Sequence, residues 1–369
     1  MSQERIEELE KMLADAAEGY YNLEPKMDDQ EYDARKAELE FLRPASPVVA
    51  QVGVAVSKTS VWDKVEHTIP MGSLDKVNSR DGFFTWAEGT GTEEFLLTQK
   101  IDGSSMELVY SGGSLVRAVT RGDGAIGEDV TFNVRQIPGI PHVIAESGDV
   151  SVRGEVVMYK DVFQKEYSGE YANPRNTANG KVREKKGGGA DCKNLNFIAY
   201  NLYVDGNLPA TEQGQFDQLR ELGFEVPFYE VGNMFDLAQT FDTVKVNREV
   251  IPYEIDGMVV RVNDMVHQDG LGSKAMRPNG QTAWKFDAAM ATTKVIDIRW
   301  QVGNSGRVTP VAAVEPVNIG GVTITSISLH NMAMFRKLKL SAGCEVLVAR
   351  RNDVIPYIEK NITAGVEAA

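Results

Sequence analysis

Residues 95–124 read FLLTQKIDGSSMELVYSGGSLVRAVTRGDG, and they contain the pattern on which the predicted fold depends. Strand-like runs occur in FLLTQ, SMELVY and SLVRAVT, and the glycine pair between the last two predicts a hairpin turn. Lys100 stands at the end of the first run and is followed by Asp102 and Gly103. A lysine at a strand end is usually a solvated edge residue, so its role depends on the groups that accompany it.

Further strand patterns occur in VSVRGEVVM, LNFIAYNLYV and EIDGMVVRVN. Helical patterns near residues 80–87 and 213–222 interrupt them without the regular alternation of a parallel βαβ sheet. After about residue 291 the pattern is one of short strands with glycine turns, which is typical of a small OB-type barrel. These patterns predict an α+β fold with a mostly antiparallel sheet in its central domain.

The N-terminal segment is predicted to form two helices. Apolar residues recur at steps of three and four, which indicates one helix face, at Ile6, Leu9, Leu13, Ala16 and Tyr20. Asp28 and Glu31 resemble a capping box for a second helix, which ends after Leu42 because Pro44 and Pro47 follow. We therefore predict a helical module in residues 1–62, a central domain in 63–290 and an OB-fold domain in 291–369.

Composition limits the class of protein. The formal net charge of −14 argues against a protein that wraps a phosphate backbone, although basic residues recur in GKVREKK, MFRKLKL and VARRND. Cys192 and Cys344 cannot supply a disulfide framework or a four-cysteine zinc site. Because the sequence shows neither a membrane-spanning run nor a signal peptide, we expect a cytoplasmic protein without structural zinc.

A lysine that is desolvated near other cations can act as a nucleophile. Such chemistry needs a phosphate electrophile, further cations and a carboxylate-bound metal. The candidates lie in TRGDG, VRGEVVM, ANPRNTANGKVRE, EIDGMVVRVN and TAWKFDA, and they are Arg121, Glu155, Arg175, Arg183, Asp256, Arg261 and Lys285.

K-x-D-G, R-G-E, I-D-G-x-V-x-[KR] and W-K-F, in this order, resemble the nucleotidyltransferase motifs of enzymes that form a covalent lysyl-AMP. More narrowly, the sequence resembles the NAD-dependent DNA ligase family. Phrases close to those of the family are TRGDGAIGEDVTFNVRQIPGIP, NPRNTANGKVR, VGNSGRVTPVAAVEPV, LHN and RRNDVIP. The resemblance extends from Tyr20 to about Pro356, and it implies that residues 63–290 form the nucleotidyltransferase (adenylation) domain.

The segment YYNLEPKMDDQEYD distinguishes this family from its ATP-using relatives. It resembles the helical module that binds the nicotinamide mononucleotide (NMN) half of NAD. The resemblance implies stacking on the nicotinamide by aromatic rings and bonding of ribose hydroxyls by carboxylates. The residues with these implied roles are Tyr20, Tyr21, Asp29, Tyr32 and Asp33.

The resemblance also implies a mechanism and a set of site residues. Lys100 attacks the adenylyl phosphorus of NAD, NMN leaves, and AMP then passes to the 5′-phosphate of nicked double-stranded DNA before the strand is sealed. Asp102 would orient the lysine or its metal-bound water, Glu155 would hold the ribose, and Asp256 would bind Mg²⁺. Phosphate binding would fall to Arg121, Arg175, Arg183, Arg248 and Lys285, and the adenine pocket would include Ser73 and Leu74.

Two positions depart from the pattern of the family. Thr98 stands where the family usually has a glutamate that contacts adenine, so adenine binding would be weaker or would fall to Gln99. Arg261 stands where lysine is common, and arginine keeps the charge but cannot release a proton. If the lysine helps to activate or orient the nucleophile, the first step would be slower.

Several alternatives stay open at this point. GDGAIG in residues 122–127 fits G-x-G-x-x-G, but IPGIPHVI interrupts the βαβ unit that a dinucleotide fold requires, which favours a loop near the phosphates. The competing functions are an ATP-dependent ligase-type nucleotidyltransferase and a degenerate ligase that acts as a DNA-binding or scaffolding module.

Members of the family commonly continue into a zinc module, helix-hairpin-helix repeats and a BRCT domain. We therefore expect a fragment, a minimal ligase of viral type, or one subunit of a split ligase whose partner carries the DNA clamp. The corresponding locations are the bacterial cytoplasm or nucleoid and a virus-infected cell.

Overall fold

The computed structural model of the protein describes residues 2–21, 29–44, 46–50, 62–171, 173–185, 189–205, 209–274, 276–286, 289–302, 308–319, 322–329, 332–351 and 355–363. Two units divide the chain: Met1–Pro25 with Leu39–Phe286, and Lys26–Glu38 with Asp287–Ala369. Within the described ranges, none of the helices combines the length and the apolar character that crossing a membrane requires.

The helices in these ranges are α1 (Ser2–Tyr21), α2 (Asp29–Leu42), α3 (Pro47–Ala50), α4 (Arg80–Thr90), α5 (Thr131–Val134), α6 (Lys160–Glu166), α7 (Pro174–Val182), α8 (Glu212–Glu221), α9 (Met234–Val246), α10 (Met265–Gly270) and α11 (Met332–Leu338). Two 3-10 turns cover Ala190–Asn194 and Arg248–Val250.

The strands of the first unit are β1 (Lys64–Glu66), β2 (Asp75–Val77), β3 (Phe95–Ile101), β4 (Ser104–Ser111), β5 (Ser114–Thr120), β6 (Ile126–Glu128), β7 (Val150–Met158), β8 (Leu195–Val204), β9 (Tyr229–Gly232), β10 (Ile255–Val262), β11 (Ser273–Lys274), β12 (Arg277–Pro278) and β13 (Gln281–Lys285). Those of the second unit are β14 (Ala289–Val302), β15 (Val308–Ile319), β16 (Val322–Ser328), β17 (Glu345–Arg351) and β18 (Ile355–Asn361).

Two sheets form the centre of the first unit, with strand orders β2-β13-β10-β3-β9 and β5-β4-β7-β8. Strand β3 leads into β4 through Asp102 and Gly103, so the K-x-D-G motif lies where the chain passes from one sheet to the other. A Cβ atom at Gly103 would lie 2.6 Å from the carbonyl oxygen of Val156, so only glycine permits this close crossing. All pairings in the two sheets are antiparallel except that of β13 with β2.

Local sequence explains where the helices beside these sheets begin. The Ser79 side chain accepts a hydrogen bond from Gly82 N and caps α4, and the Asn173 side chain accepts one from Asn176 N and caps α7. Helix α7 has Pro174 at its first position, where the missing backbone N–H removes no hydrogen bond within the helix. Helices α6, α7 and α9 were not predicted from sequence, although Asn233 is a regular cap for α9.

The glycine loop at 122–127 begins with a turn and continues into β6, which pairs with β1. In this described stretch no helix begins at the loop, whereas a dinucleotide fold requires one there. The loop therefore agrees with the prediction that residues 122–127 do not form a dinucleotide fold. The segment before β2 lies against the loop, since Met71 N donates to Gly124 O at 2.7 Å and His67 N donates to Ala125 O at 2.9 Å.

The second unit is a curled five-stranded antiparallel sheet with the order β16-β15-β14-β17-β18. Strand β14 pairs with β17 in its first half and with β15 in its second half, and the β14–β15 register shifts between Val295 and Asp297. This long shared strand lets the sheet curl around a core that includes Val295, Ile327 and Val346. The predicted OB-type strands are therefore present, whereas α11 interrupts a region predicted to contain strands alone.

Candidate active site

The register of three neighbouring strands brings two lysines together. Gly257 in the central strand β10 pairs with Lys100 of β3 on one side and with Lys285 of β13 on the other. Residues directly opposite one another in antiparallel strands point to the same face of the sheet. A Cβ atom at Gly257 would lie 2.3 Å from Trp284 O, so the absence of a side chain permits the close packing of these strands.

Asp256 reaches the lysines because of a β-bulge. The pairing of β10 with β3 shifts between Ile255 and Gly257, which leaves Asp256 as an extra residue. Its carboxylate lies between the two ammonium groups: Lys100 Nζ is 2.9 Å from Oδ1 and 3.0 Å from Oδ2, and Lys285 Nζ is 3.4 Å from Oδ2. In an unbulged strand, Asp256 would point away from the face that Lys100 shares with Gly257.

Electrostatics keep Asp256 ionised. Burial raises the pKa of this carboxyl, but the charges of Lys100 and Lys285, together with the hydrogen bond from Lys100, outweigh burial and lower the pKa below its usual value. The ionised carboxylate therefore holds the Lys100 ammonium at the strand end.

Asp102 and Glu155 line the neighbouring sheet crossing. Arg175, in the first turn of α7, donates from Nη1 to Asp102 Oδ1 at 2.5 Å. Ser105 lies opposite Glu155 and donates to its Oε1 at 2.7 Å, while the Tyr200 hydroxyl donates to the same oxygen at 3.3 Å. Burial raises the pKa of Glu155 to about 6, although Ser105 and nearby cations lower it in part.

Two more predicted cations lie in the same unit. Arg121 donates from Nη2 to Ser73 Oγ at 2.9 Å and to Gly72 O at 3.4 Å, and the half-buried Leu74 follows in the chain. Arg183 donates from Nε to Glu128 Oε2 at 2.7 Å.

The predicted adenine-side residues Thr98 and Gln99 contact the chain beside β9. Thr98 Oγ1 donates to Phe228 O at 3.0 Å. Gln99 Oε1 accepts from Phe228 N at 3.2 Å and from the Tyr253 hydroxyl at 2.7 Å. Both side chains are buried, so their polar groups serve the packing of β3 in this structure.

Arg261 occupies a different environment from the lysines. Its Nη1 donates to Glu212 Oε2 at 2.9 Å and to Tyr200 O at 3.1 Å, and the side chain is only 5% exposed. Arg248 lies in a 3-10 turn, with Nε 3.7 Å from Glu249 Oε1. No contact described here places either residue beside Lys100, so their roles in binding NAD stay predictions.

The side chains of Tyr20, Tyr21, Asp29 and Asp33 lie outside the described part of the structure. Tyr32 is half-buried in α2, and the Lys36 ammonium lies 5.9 Å from its ring centroid. The NMN-binding role of these residues is untested by the structure.

The donor set is consistent with Mg²⁺ shared with a substrate. Among the described residues, two buried carboxylate oxygens lack a hydrogen bond, namely Glu155 Oε2 and Asp256 Oδ1. Asp256 Oδ1 is nevertheless 2.9 Å from Lys100 Nζ, at an angle that does not form a hydrogen bond. No group of three or more potential metal ligands occurs in the described ranges. Mg²⁺ commonly takes one or two carboxylates together with substrate phosphates, and the Asp256 carboxylate suits that arrangement.

A buried cluster beside Arg121 was not predicted from the sequence. Glu107 and His67 face each other with 1% and 0% of their side chains exposed, and Ser151 and Arg153 adjoin Glu107. The sequence does contain a sign of this cluster, because Glu107 lies inside the apolar strand SMELVY. A carboxylate buried in such a strand needs polar partners.

Comparison with known proteins supports the assignment to a family. The model of the NAD-dependent DNA ligase adenylation domain matches residues 59–289, and that of the NAD-dependent DNA ligase OB-fold domain matches residues 292–368. The chain is 39% identical to the DNA ligase of Sorangium cellulosum, with 96% of this chain and 56% of that protein covered. It is 38% identical to the DNA ligase of Halothermothrix orenii, with 93% and 54% covered.

The DNA ligase of Treponema pallidum is 34% identical, and the match covers 100% of this chain and 46% of that protein. The chain thus spans about half the length of these relatives, from 46% to 56%. The predicted resemblance and the α+β class with an OB-fold domain are confirmed. The chain belongs to the NAD-dependent DNA ligase family.

Proposed function

We propose that this chain performs the covalent adenylyl transfer of an NAD-dependent DNA ligase, with Lys100 as the nucleophile. One observation carries the proposal: the Asp256 carboxylate contacts both Lys100 and Lys285, because the register of β3, β10 and β13 places the two lysines on either side of Gly257. The match of the adenylation-domain model over residues 59–289 supports it.

In the proposed reaction, Lys100 attacks as the free amine. The new N–P bond replaces the P–O bond to NMN, NMN leaves with the electron pair of that bond, and the proton released by the attacking nitrogen passes to the leaving phosphate oxygen or to water. Asp256 orients Lys100 rather than taking its proton, because the lowered pKa of this carboxyl makes it a weak base. Lys285 lies 3.4 Å from the same carboxylate and places positive charge where phosphate charge develops.

The other residues would hold parts of the dinucleotide. Arg121 and Arg175 are assigned to the phosphates, and Glu155 to the ribose through its free oxygen. The NMN half is assigned to Tyr20, Tyr21, Asp29, Tyr32 and Asp33. Bound Mg²⁺ would be held by Asp256 and the substrate phosphates and would neutralise phosphate charge.

The later steps are part of the same proposal. AMP passes to the 5′-phosphate of a nick in double-stranded DNA, and the 3′-hydroxyl displaces AMP to seal the strand. We also propose the boundaries 1–62, 63–290 and 291–369 for the NMN-binding, adenylation and OB-fold domains, which the two model matches support. A second subunit with clamp domains and a cytoplasmic location stay predictions.

The test is the mass of the intact protein after incubation with NAD and Mg²⁺, with ATP in a parallel sample. Excess NMN is used first to remove any AMP already bound. We expect one AMP adduct from NAD alone in wild type and in Lys165→Ala, a control whose lysine is 81% exposed. Lys100→Ala should form none, and an adduct that persists in that variant would disprove the assignment of the nucleophile.

Sealing is tested separately by mixing the adenylated protein with a nicked duplex labelled at the 5′-phosphate. A sealed strand, or adenylated DNA, is the expected product. If the adduct forms but neither product appears, the chain performs adenylation and the sealing proposal is wrong. An adduct from ATP in place of NAD would support the ATP-dependent alternative.

A further inference from the structure

A buried cluster of charged side chains lies on the same face of the four-stranded sheet as Glu155. In antiparallel β4 and β7, Ser105 lies opposite Glu155 and Glu107 lies opposite Arg153. Residues two positions apart in a strand point to the same face, so the Glu107–Arg153 pair adjoins the Ser105–Glu155 pair. We call Glu107 with its partners His67, Ser151 and Arg153 the Glu107 cluster.

Glu107 receives contacts from three neighbours. Ser151 Oγ donates to Glu107 Oε1 at 2.6 Å, Arg153 Nη2 lies 3.9 Å from the same oxygen, and His67 Nδ1 contacts Oε2. Burial raises the pKa of Glu107, but the hydrogen bonds from His67 and Ser151 and the nearby positive charges outweigh it and lower the pKa. The carboxylate is therefore ionised and fixed in place.

His67 connects this carboxylate to the backbone at Arg121. Its Nε2 lies 3.1 Å from Thr120 O and 3.1 Å from Arg121 O. Because both partners are carbonyl oxygens, Nε2 must carry a hydrogen, and the ring is held in one orientation with Nδ1 toward Glu107.

Arg153 holds the chain that follows His67. Its Nη1 donates to Pro70 O at 3.1 Å, and its Nη2 donates to Ile69 O. Residues 67–73, which we call the 67–73 segment, are therefore attached to the sheet through both His67 and Arg153.

The far end of the 67–73 segment contacts a group assigned to NAD. Arg121 Nη2 donates to Ser73 Oγ at 2.9 Å, while the carbonyl of the same arginine faces His67. Backbone and side chain of Arg121 thus both contact the 67–73 segment. A shift of the segment would move Ser73 and break the bond that orients the Arg121 side chain.

We propose that Glu107 is a positioning residue for adenylyl transfer: through His67 and Arg153 it holds the 67–73 segment, and hence Ser73 and Arg121, in the geometry that receives NAD. The inference rests on the proposed function and goes beyond it, because Glu107 acts through other residues. Lys100, Asp256 and Lys285 lie in the other sheet, so the cluster governs binding of NAD more than the chemical step.

The test compares Glu107→Gln with Leu108→Ala in the 369-residue chain. Leu108 is the next residue of β4, is fully buried and points into the core on the opposite face. Rates of AMP-adduct formation are measured over a range of NAD concentrations. For Glu107→Gln we expect KM to rise at least tenfold and the limiting rate to change less than threefold. For Leu108→Ala we expect a lower Tm and a KM within twofold of wild type.

Hydrogen exchange provides a readout that does not depend on activity. In Glu107→Gln the amides of the 67–73 segment should exchange at least tenfold faster than in wild type, and in Leu108→Ala this local change should be absent. If Glu107→Gln does not fold, Ser151→Ala replaces it in the test, because this variant removes only one of the hydrogen bonds to Glu107. It should raise KM about threefold by loosening the 67–73 segment.

The outcomes separate this inference from the function on which it rests. A wild-type protein that forms no adduct would overturn the proposed function and this inference with it. A wild-type protein that forms the adduct, with unchanged KM and unchanged exchange in Glu107→Gln or Ser151→Ala, would overturn the inference alone. A limiting rate that falls tenfold with KM unchanged would also contradict it, because the effect would then lie in the chemical step.

Discussion

At the residue scale, the site depends on a carboxylate between two lysines. Asp256 is half-buried, with 21% of its side chain exposed, and its negative charge is balanced by Lys100 and Lys285. Breaking a buried ion pair by removing one partner typically costs about 3–5 kcal/mol. Lys100 and Lys285 keep 27% and 17% of their side chains exposed, so solvent screening should bring the cost here to the lower end of that range or below it.

We predict that Asp256→Asn slows AMP-adduct formation by about 100-fold or more, because the lysines lose their common partner and their spacing. The rate is measured by intact mass under single-turnover conditions. Asp264→Asn is the control, since Asp264 caps α10 by accepting a hydrogen bond from His267 N at 2.8 Å and asparagine caps equally well. An adduct rate within threefold of wild type in Asp256→Asn would contradict the assigned role.

A second prediction concerns Glu155 and pH. Its pKa is about 6 in the folded protein against 4.5 for the exposed group, so the folded state binds the proton more tightly than the unfolded state does. The contribution of this group to stability is therefore largest below about pH 4.5 and is lost as pH rises through 6. The loss at pH 8 corresponds to about 2 kcal/mol.

Glu155→Gln should consequently be more stable than wild type by about 2 kcal/mol at pH 8 and about equal to it at pH 4.5. Urea unfolding at several pH values measures the difference. The variant should also form the adduct more slowly, because its amide oxygen stays with Ser105 and Tyr200 and its NH2 group, which cannot accept, takes the place of the oxygen proposed to accept from the ribose. A stability difference that does not vary with pH would show that burial of the Glu155 charge has been misjudged.

At the element scale, the spacing of β3, β10 and β13 decides whether the site exists. Gly257 lies level with both lysines, and a methyl group there would come within 2.3 Å of Trp284 O. That contact is backbone and cannot rotate away, so β13 must shift.

We predict that Gly257→Ala costs about 1–3 kcal/mol in the free energy of unfolding and slows adduct formation at least tenfold. Gly89→Ala is the matched control, because a Cβ atom there meets nothing within 4 Å and the residue lies inside α4. Alanine should stabilise that helix by about 0.5–1 kcal/mol and leave the adduct rate unchanged. Equal effects of the two substitutions on the adduct rate would show that the strand spacing is not critical.

At the scale of the whole molecule, the net charge of −14 has to coexist with the proposed binding of DNA. The groups proposed for adenylyl transfer around Lys100 lie in the first unit. The second unit contains the exposed basic residues Arg336 and Lys337 in the last turn of α11. A local basic surface can bind phosphates although the chain is acidic as a whole.

We therefore predict that replacing both Arg336 and Lys337 by alanine weakens binding of nicked DNA and leaves the rate of adduct formation from NAD within twofold of wild type. If both residues contact phosphates, the slope of log K against log salt should become shallower by about 2. Fluorescence anisotropy with a labelled nicked duplex at several salt concentrations measures this, with Lys165→Ala as the control. An unchanged slope would place the DNA-binding surface elsewhere.

Much of the fold could be predicted because its strands are local patterns. The runs in FLLTQ, SMELVY, SLVRAVT, VSVRGEVVM, LNFIAYNLYV and EIDGMVVRVN all became strands, and YSGGSL became the turn between β4 and β5. Helix α9 was missed although Asn233 caps it, and α11 was missed inside a run of strands. These helices are stabilised by burial against sheets, which a local pattern does not show.

Residue types at short spacings were enough to predict the strand-rich class, and the motifs that resemble the NAD-dependent DNA ligase family pointed to Lys100 as the candidate nucleophile. How these residues come together depends on the folded chain. The bulge that turns Asp256 toward Lys100, the pairing of Arg261 with Glu212 and the contact of Glu107 with His67 all join residues distant in sequence. Strand register and bulges depend on which strands pair, and that pairing is set by the packing of the whole sheet rather than by any one stretch of the chain.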